Sequence, residues 1–278
     1  GYTLRFLCEQ EKGSFKMRVG FVGLGIMGNP MCKHILKAGF ELSVNALDEK
    51  VVQEFVALGA NCGSYADLGK ECDVVMVMVP TGAISKEVMF GENGVASTAK
   101  PGTVLVDLSS VTPIESQECY KLAKEKGLMF LDAPVSGGEP KAVDGTLATM
   151  VGGDQEAFDI AKPVLDAFSS SVLLVGDSGA GSTAKLVNQI IVNNNIAIVG
   201  EAFTFAAKTG VDPVKVYEAI RGGLAGSCVL DAKLPMMVAR NFVPGGTVKV
   251  NHKDSLASST QLPASPPLIA SYTLTGST

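Results

Sequence analysis

The chain has 278 residues, with 23 Lys+Arg against 28 Asp+Glu and a formal charge of −5. That mild acidity excludes the basic surface that nucleic acid or an anionic membrane would require. With 46% apolar and 18% charged residues there is side chain enough for a large core, or two modest ones, which excludes bulk disorder.

Gly1 to Phe15 carry Glu9, Glu11 and Lys12 and lack the apolar stretch of a secretory signal, so they read as an extension outside the fold. Met17 reads as a natural start. From there Val-rich runs alternate with helix-sized amphipathic stretches. The runs are Met17–Val22, Glu41–Ala46, Asp73–Val79, Thr103–Asp107 and Leu128–Leu131, each ending at or beside Gly, Pro, Asn or Asp. Such alternation predicts an α/β fold, a doubly wound parallel sheet with right-handed crossovers. Two further strands, Leu147–Val151 and Val172–Val175, flank a helix near Gln155–Phe168.

After Gly176 the pattern changes to helix. From about Ser182 to Lys208 apolar residues lie nearly all round, which predicts a buried helix joining two domains and packing against both. Pro213–Arg221 and Ser227–Ala239 follow as helices. The expected division is an extension over 1–15, the doubly wound domain over 16–178 and an all-helical domain over 179–278. Three prolines, Pro263, Pro266 and Pro267, make the stretch after 254 atypical for helix. The longest apolar run, Val74 to Pro80, is strand-sized, so no spanning segment and a soluble protein are expected.

Six cysteines without a C-x-x-C pair, and two histidines, His34 and His252, offer no metal-ligand set. A reduced, cytoplasmic setting is expected. His34 reads as solvated on its helix, and Asn193-Asn194-Asn195 as packing at a domain interface.

Gly23-Leu24-Gly25-Ile26-Met27-Gly28 follows the first strand and opens a helix. In that setting Gly23 makes the tight turn, Gly25 admits a pyrophosphate and Gly28 packs helix on sheet. The helix N-terminus offers N–H groups to the anion. The alternative is a glycine-rich turn with no ligand.

Four blocks in order carry a resemblance. They are Gly20 to Met31, Asp132-Ala133-Pro134-Val135-Ser136-Gly137-Gly138, Gly179-x-Gly181-x-x-x-Lys185-x-x-Asn188, and Lys253-Asp254. The sequence resembles the β-hydroxyacid dehydrogenases, the 3-hydroxyisobutyrate dehydrogenase-related family, over about Lys16 to Asp254. Within it, Gly138 to Ala142 and Ile220 to Ser227 look most like the reductases of a short semialdehyde. The resemblance implies Lys185 as the catalytic lysine, with Ser136, Gly137, Gly138, Asn188 and Gln189 on the substrate. It places the glycine turn, Asn45, Val79, Pro80, Ser110 and Lys253 on the cofactor, NAD or NADP. It implies a small hydroxy-acid or semialdehyde substrate and a homodimer or homotetramer.

The residues have their own physical case. Lys185, read as lying in the first turn of its helix, gains nothing there from the helix dipole. Asn188 and Gln189 fall on its face at i+3 and i+4. One cation and two amides facing a cleft can hold a substrate oxygen and protonate it. A Ser-Gly-Gly turn exposes N–H groups suited to a carboxylate. Ser109-Ser110 and Pro80-Thr81 follow strand ends, where ligands of doubly wound sheets bind. At the second strand's end, Val44-Asn45-Ala46-Leu47-Asp48 lacks the Arg that would hold a 2′-phosphate, which tilts the choice to NAD. Two rival readings are a 3-hydroxyisobutyrate dehydrogenase and a non-catalytic dinucleotide-binding module.

Overall fold

The computed structural model describes residues 16–242. The expectations for 1–15, His252, Lys253 and the stretch after 254 lie outside the described residues.

Among the described residues nine strands form one sheet in the order β3-β2-β1-β4-β5-β6-β8-β7, with β9 pairing β8. They are β1 (Arg18–Val22), β2 (Glu41–Asn45), β3 (Asn61–Cys62), β4 (Val74–Val77), β5 (Val104–Asp107), β6 (Met129–Asp132), β7 (Val135–Ser136), β8 (Leu147–Gly153) and β9 (Ser169–Gly176). The first six pair in parallel, β8 runs antiparallel to β6 and β7, and β9 lies parallel to β8. The two-residue strands β3 and β7 are too short to show a period in the sequence.

Helices fill the crossovers: α1 (Gly28–Lys37), α2 (Glu49–Ala57), α3 (Tyr65–Glu71), α4 (Gly82–Phe90), α5 (Pro113–Glu125), α6 (Gly138–Asp144) and α7 (Gln155–Leu165). Both faces of the sheet are covered, as the unbroken apolar runs require. Phe21, Val74 and Met76 join one core cluster, whereas their chain neighbours Val22, Val75 and Val77 join another. On α1 the buried residues are Gly28, Met31, Cys32 and Ile35, an i, i+3, i+4, i+7 stripe against the first cluster.

Register decides where chemistry can happen. Val22 pairs with both Asn45 and Val77, Val77 with Asp107, and Asp107 with Asp132. Five parallel strands therefore end in one row, and the loops that leave it share one edge. The order 3-2-1-4-5-6 is that of the doubly wound dinucleotide-binding sheet, whose ligands sit at this carboxyl edge.

Lys185 is the last residue of this compact unit. The second unit begins at Leu186, within the long helix α8 (Ala180–Lys208), and includes α9 (Pro213–Ile220) and α10 (Cys228–Val238). Its core is small: Val199, Phe203, Leu230 and Leu234, with Tyr217 and Ile220 against them. A cavity of about 400 Å³ lies beside it, lined by Asn195, Phe203, Leu224 and Leu230 among others.

Two expectations about α8 need correction. The helix is not buried all round, because Val187, Ile191 and Ile198 are each more than half exposed and Phe205 is 70% exposed. Within the second unit the described helices cover one stripe only. By length and composition alone α8 could also cross a membrane, contrary to the absence of any span-sized segment expected above. Its middle carries Asn193-Asn194-Asn195, and of these amides Asn194 bonds the Ile190 carbonyl while Asn193 Nδ2 is buried with no partner. Three amides at mid-depth in lipid would be costly.

Candidate active site

The glycine turn at the end of β1 is fixed by sterics. Gly23 has φ +100°, and a Cβ there would collide with the Met78 carbonyl oxygen on the neighbouring strand's continuation. Its N–H donates to the Asn45 carbonyl at 2.9 Å, so the turn is pinned between β2 and β4. A Cβ on Gly28 would meet the Gly23 carbonyl oxygen, whereas one on Gly25 would meet nothing within 4 Å. The open side of Gly25 is thus where a ligand can approach the backbone. No side chain caps the N-terminus of α1 and its first turn holds no acid. Pro30 has no N–H and the Asn29 N–H donates to the Gly25 carbonyl at 2.9 Å, so what this end offers an anion is chiefly the helix dipole. These features fit a dinucleotide pyrophosphate. Leu24 is buried and Ile26 is exposed, and a cavity of about 550 Å³ opens from the turn along α1 toward Glu139 and Val143 of α6.

At the end of β2 the Asn45 amide donates to the Gly63 carbonyl at 2.7 Å. Leu47 is fully exposed, and Asp48 caps α2 by accepting the Lys50 N–H at 3.0 Å. This edge presents the exposed carboxylates of Asp48 and Glu49 and, among the described residues, no guanidinium.

The next two loops are locked by a buried acid. Asp107, 1% exposed, accepts from the Ser85 hydroxyl at 2.6 Å and from the Ser109 N–H at 2.9 Å. The Ser109 hydroxyl in turn accepts the Val79 N–H at 3.0 Å. Burial pushes the Asp107 carboxyl above its usual range, against these hydrogen bonds. Val79 and Pro80 on one loop, and Ser110 on the other, are thereby held along the same edge as the glycine turn. Removing the hydroxyl in Ser85→Ala leaves a buried carboxylate oxygen short of a donor. The urea midpoint of unfolding should fall by the equivalent of about 1–3 kcal/mol. An unchanged midpoint would show that this bond contributes nothing to the lock.

Ser136 ends β7, and Gly137 and Gly138 follow with φ of +135° and +69°, a conformation that favours glycine. The turn opens α6. His34 is not simply solvated. Its ring N–H donates to the Val143 carbonyl at 2.8 Å, and a Cβ on Gly145 would lie 2.8 Å from the ring. The helix behind the glycine turn is thus clamped to the helix behind the Ser-Gly-Gly turn. A histidine on a helix carries no sequence signal for that partner.

Lys185, Asn188 and Gln189 all lie on α8 and are half-buried, with the Asn188 amide donating to Gln189 Oε1 at 2.9 Å. Because α8 starts at Ala180, Lys185 sits in its second turn and not the first. The earlier start has a cause that sequence spacing does not reveal. Asp132 at the end of β6 accepts the N–H groups of Gly179 and Ser182, at 2.7 and 2.8 Å. Burial pushes this carboxyl up to about 6, against the pull of those two amides. Asp132 and Asp107 are the functional candidates sequence reasoning missed; the available signal was an acid closing an apolar strand. Among the described residues no group of three or more His, Cys, Asp or Glu is placed to hold a metal.

Fold and edge together define a dinucleotide-binding protein, and the relatives it matches make it a nicotinamide-dependent oxidoreductase. Residues 18–176 match the NAD-binding domain of 6-phosphogluconate dehydrogenase, and residues 179–264 match the NAD-binding domain of NADP-dependent 3-hydroxyisobutyrate dehydrogenase. The chain is 42% identical over 239 residues to 2-hydroxy-3-oxopropionate reductase of Escherichia coli, covering 86% of this chain and 82% of that one. It is 37% identical to 2-(hydroxymethyl)glutarate dehydrogenase of Eubacterium barkeri, over 86% of this chain and 80% of that one. Among solved structures, a 3-hydroxyisobutyrate dehydrogenase of Mycobacterium tuberculosis with L-serine superposes with a TM-score of 0.83. It is 28% identical, and the match covers 93% of this chain and 91% of that one. The chain belongs to the 3-hydroxyisobutyrate dehydrogenase family of β-hydroxyacid dehydrogenases.

Proposed function

We propose that the protein reduces 2-hydroxy-3-oxopropanoate, or tartronate semialdehyde, to glycerate, with Lys185 as the proton donor. One observation carries this reading. An amine and two amides, Lys185, Asn188 and Gln189, follow one another on a helix whose start is bonded to the strand end from which the Ser136 turn departs. The reductase of Escherichia coli, at 42% identity, supports the substrate.

The chemistry follows from charge. A nicotinamide dinucleotide held at the glycine turn would supply a hydride for the aldehyde carbon. As the C–H bond forms, the carbonyl π pair withdraws onto oxygen, and the Lys185 ammonium stabilises that charge and gives up its proton. Asn188 and Gln189 orient the substrate, and the Ser136 hydroxyl with the Gly137 and Gly138 N–H groups holds its carboxylate. In the oxidative direction the same lysine must be neutral to accept the proton.

The semialdehyde is separated from that of 3-hydroxyisobutyrate dehydrogenase, the second reading, by comparing kcat/KM for the two substrates. A preference of tenfold or more for 2-hydroxy-3-oxopropanoate is expected, and the reverse preference would favour the second reading. Turnover of neither, with NADH still bound, would favour a non-catalytic module.

NAD is the preferred cofactor in this reading, because Asp48 would face a 2′-phosphate with like charge and Leu47 offers it no donor. NADPH should bind at least tenfold more weakly than NADH, and Leu47→Arg should recover about tenfold for NADPH alone. Equal affinity in the parent, measured by nucleotide fluorescence, would overturn the preference. The half-exposed apolar side chains of α8 support a homodimer or homotetramer. The setting is the cytoplasm.

A further inference from the structure

A helix start leaves its first N–H groups without intrahelical partners, and the usual remedy is a Ser, Thr, Asp or Asn at the cap. The residue before α8 is Gly179, which has no side chain to offer. The cap comes instead from Asp132, 47 residues earlier in the chain, through both of its carboxylate oxygens. Negative charge at a helix N-terminus is favourable, and bonds to an ionised acceptor are the strong kind.

Backbone packing sharpens the joint. A Cβ on Gly181 would collide with the Asp132 carbonyl oxygen, and would lie 2.5 Å from that of Met150. One on Gly152 would stand 2.7 Å from both Asp132 Oδ1 and the Gly181 nitrogen. Glycines at both places let the first turn of α8 press directly on the ends of β6 and β8. The Ser182 hydroxyl completes the joint by bonding Ser116 of α5 at 2.9 Å.

We propose that Asp132 is a positioning residue for the reaction. Its carboxylate fixes the first turn of α8, and with it the Lys185 amine one turn further on, relative to the Ser-Gly-Gly turn that begins four residues after Asp132. The inference rests on Lys185 being the proton donor. One buried side chain thus sets the distance between the group that holds the substrate carboxylate and the group that protonates its carbonyl. The arrangement works while both oxygens accept. Protonation of Asp132 would set an O–H against one of the two N–H groups and slacken the joint. The charged groups around it are Asp107, its register partner on β5, and Glu115 on α5, which acts on Asp107.

The test compares the full chain with Asp132→Asn and with Lys185→Ala, reading kcat for semialdehyde reduction and NADH affinity separately. The amide in Asp132→Asn keeps the shape but turns one acceptor into a donor facing an N–H. Expected is a kcat lower by about 10- to 100-fold with NADH affinity little changed, and a lower thermal midpoint because one buried N–H loses its acceptor. A kcat within twofold of the parent, while Lys185→Ala is inactive, would overturn the positioning role and leave the lysine's role standing. An active Lys185→Ala would overturn the lysine's role itself. Should Asp132→Asn fail to fold, the parent protein still decides. Its reductive kcat should fall on the acid side of about pH 6, where Asp132 takes up its proton. A reductive kcat that is flat from pH 8 to pH 5 would overturn the proposal.

Discussion

Lys185→Ala is expected to lower kcat for semialdehyde reduction by about 10²- to 10⁴-fold and to leave NADH affinity within about threefold. In barrier terms that is about 3–5 kcal/mol, the range for removing a placed proton donor together with its charge. The split between kcat and affinity follows from placement. Lys185 lies on α8, whereas the glycine turn, Val79 and the Asn45 carbonyl that pins Gly23 all belong to the sheet edge. Losing the amine therefore removes chemistry without touching the surface that receives the dinucleotide. The pH dependence should follow the proton. Oxidation of glycerate needs the neutral amine and should rise with pH, while reduction needs the ammonium. Stopped-flow hydride transfer measured with Lys185→Ala would read the step directly. A hydride-transfer rate unchanged from the parent would remove Lys185 from the mechanism.

The doubly wound sheet was legible because both periods agree. Runs such as Val74 to Val77 are buried on both faces, and only a strand covered by helices on each side explains that without alternation. The glycine turn was legible because sterics leave it little freedom, as φ at Gly23 and the backbone approach at Gly28 show. What stayed hidden depends on contacts between residues distant in sequence. Asp132 meets Gly179 across 47 residues, Asp107 meets Ser85 across 22, and His34 meets Val143 across 109. No local period encodes such pairs, and a lone acid at a strand end resembles any loop acid. The exposure of α8 was misjudged for a related reason. An all-round apolar helix implies something to cover it, but its composition does not say whether that cover lies in the same unit.

Gly23→Ala should weaken NADH binding by about 100-fold or more. Two costs combine. The residue sits at φ +100°, where an L side chain costs of order 1–3 kcal/mol. The added carbon also collides with the Met78 carbonyl oxygen, a backbone atom that cannot rotate away. Relief requires the turn to move, and the turn is held by the Gly23 N–H on the Asn45 carbonyl and by close contact with Gly28. Any shift carries Gly25 and the start of α1 with it, so the open backbone at Gly25 and the helix dipole lose their alignment on the pyrophosphate. At about 1.4 kcal/mol per tenfold, the strain and the lost anion bonds together reach the expected factor. Gly25→Ala is the instructive companion. Its built Cβ meets no protein atom within 4 Å, so the unliganded protein should keep its thermal midpoint while nucleotide affinity falls. Calorimetric titration with NADH, alongside thermal unfolding without it, separates the two variants. A Gly25→Ala protein that binds NADH like the parent would place the pyrophosphate elsewhere than on this turn.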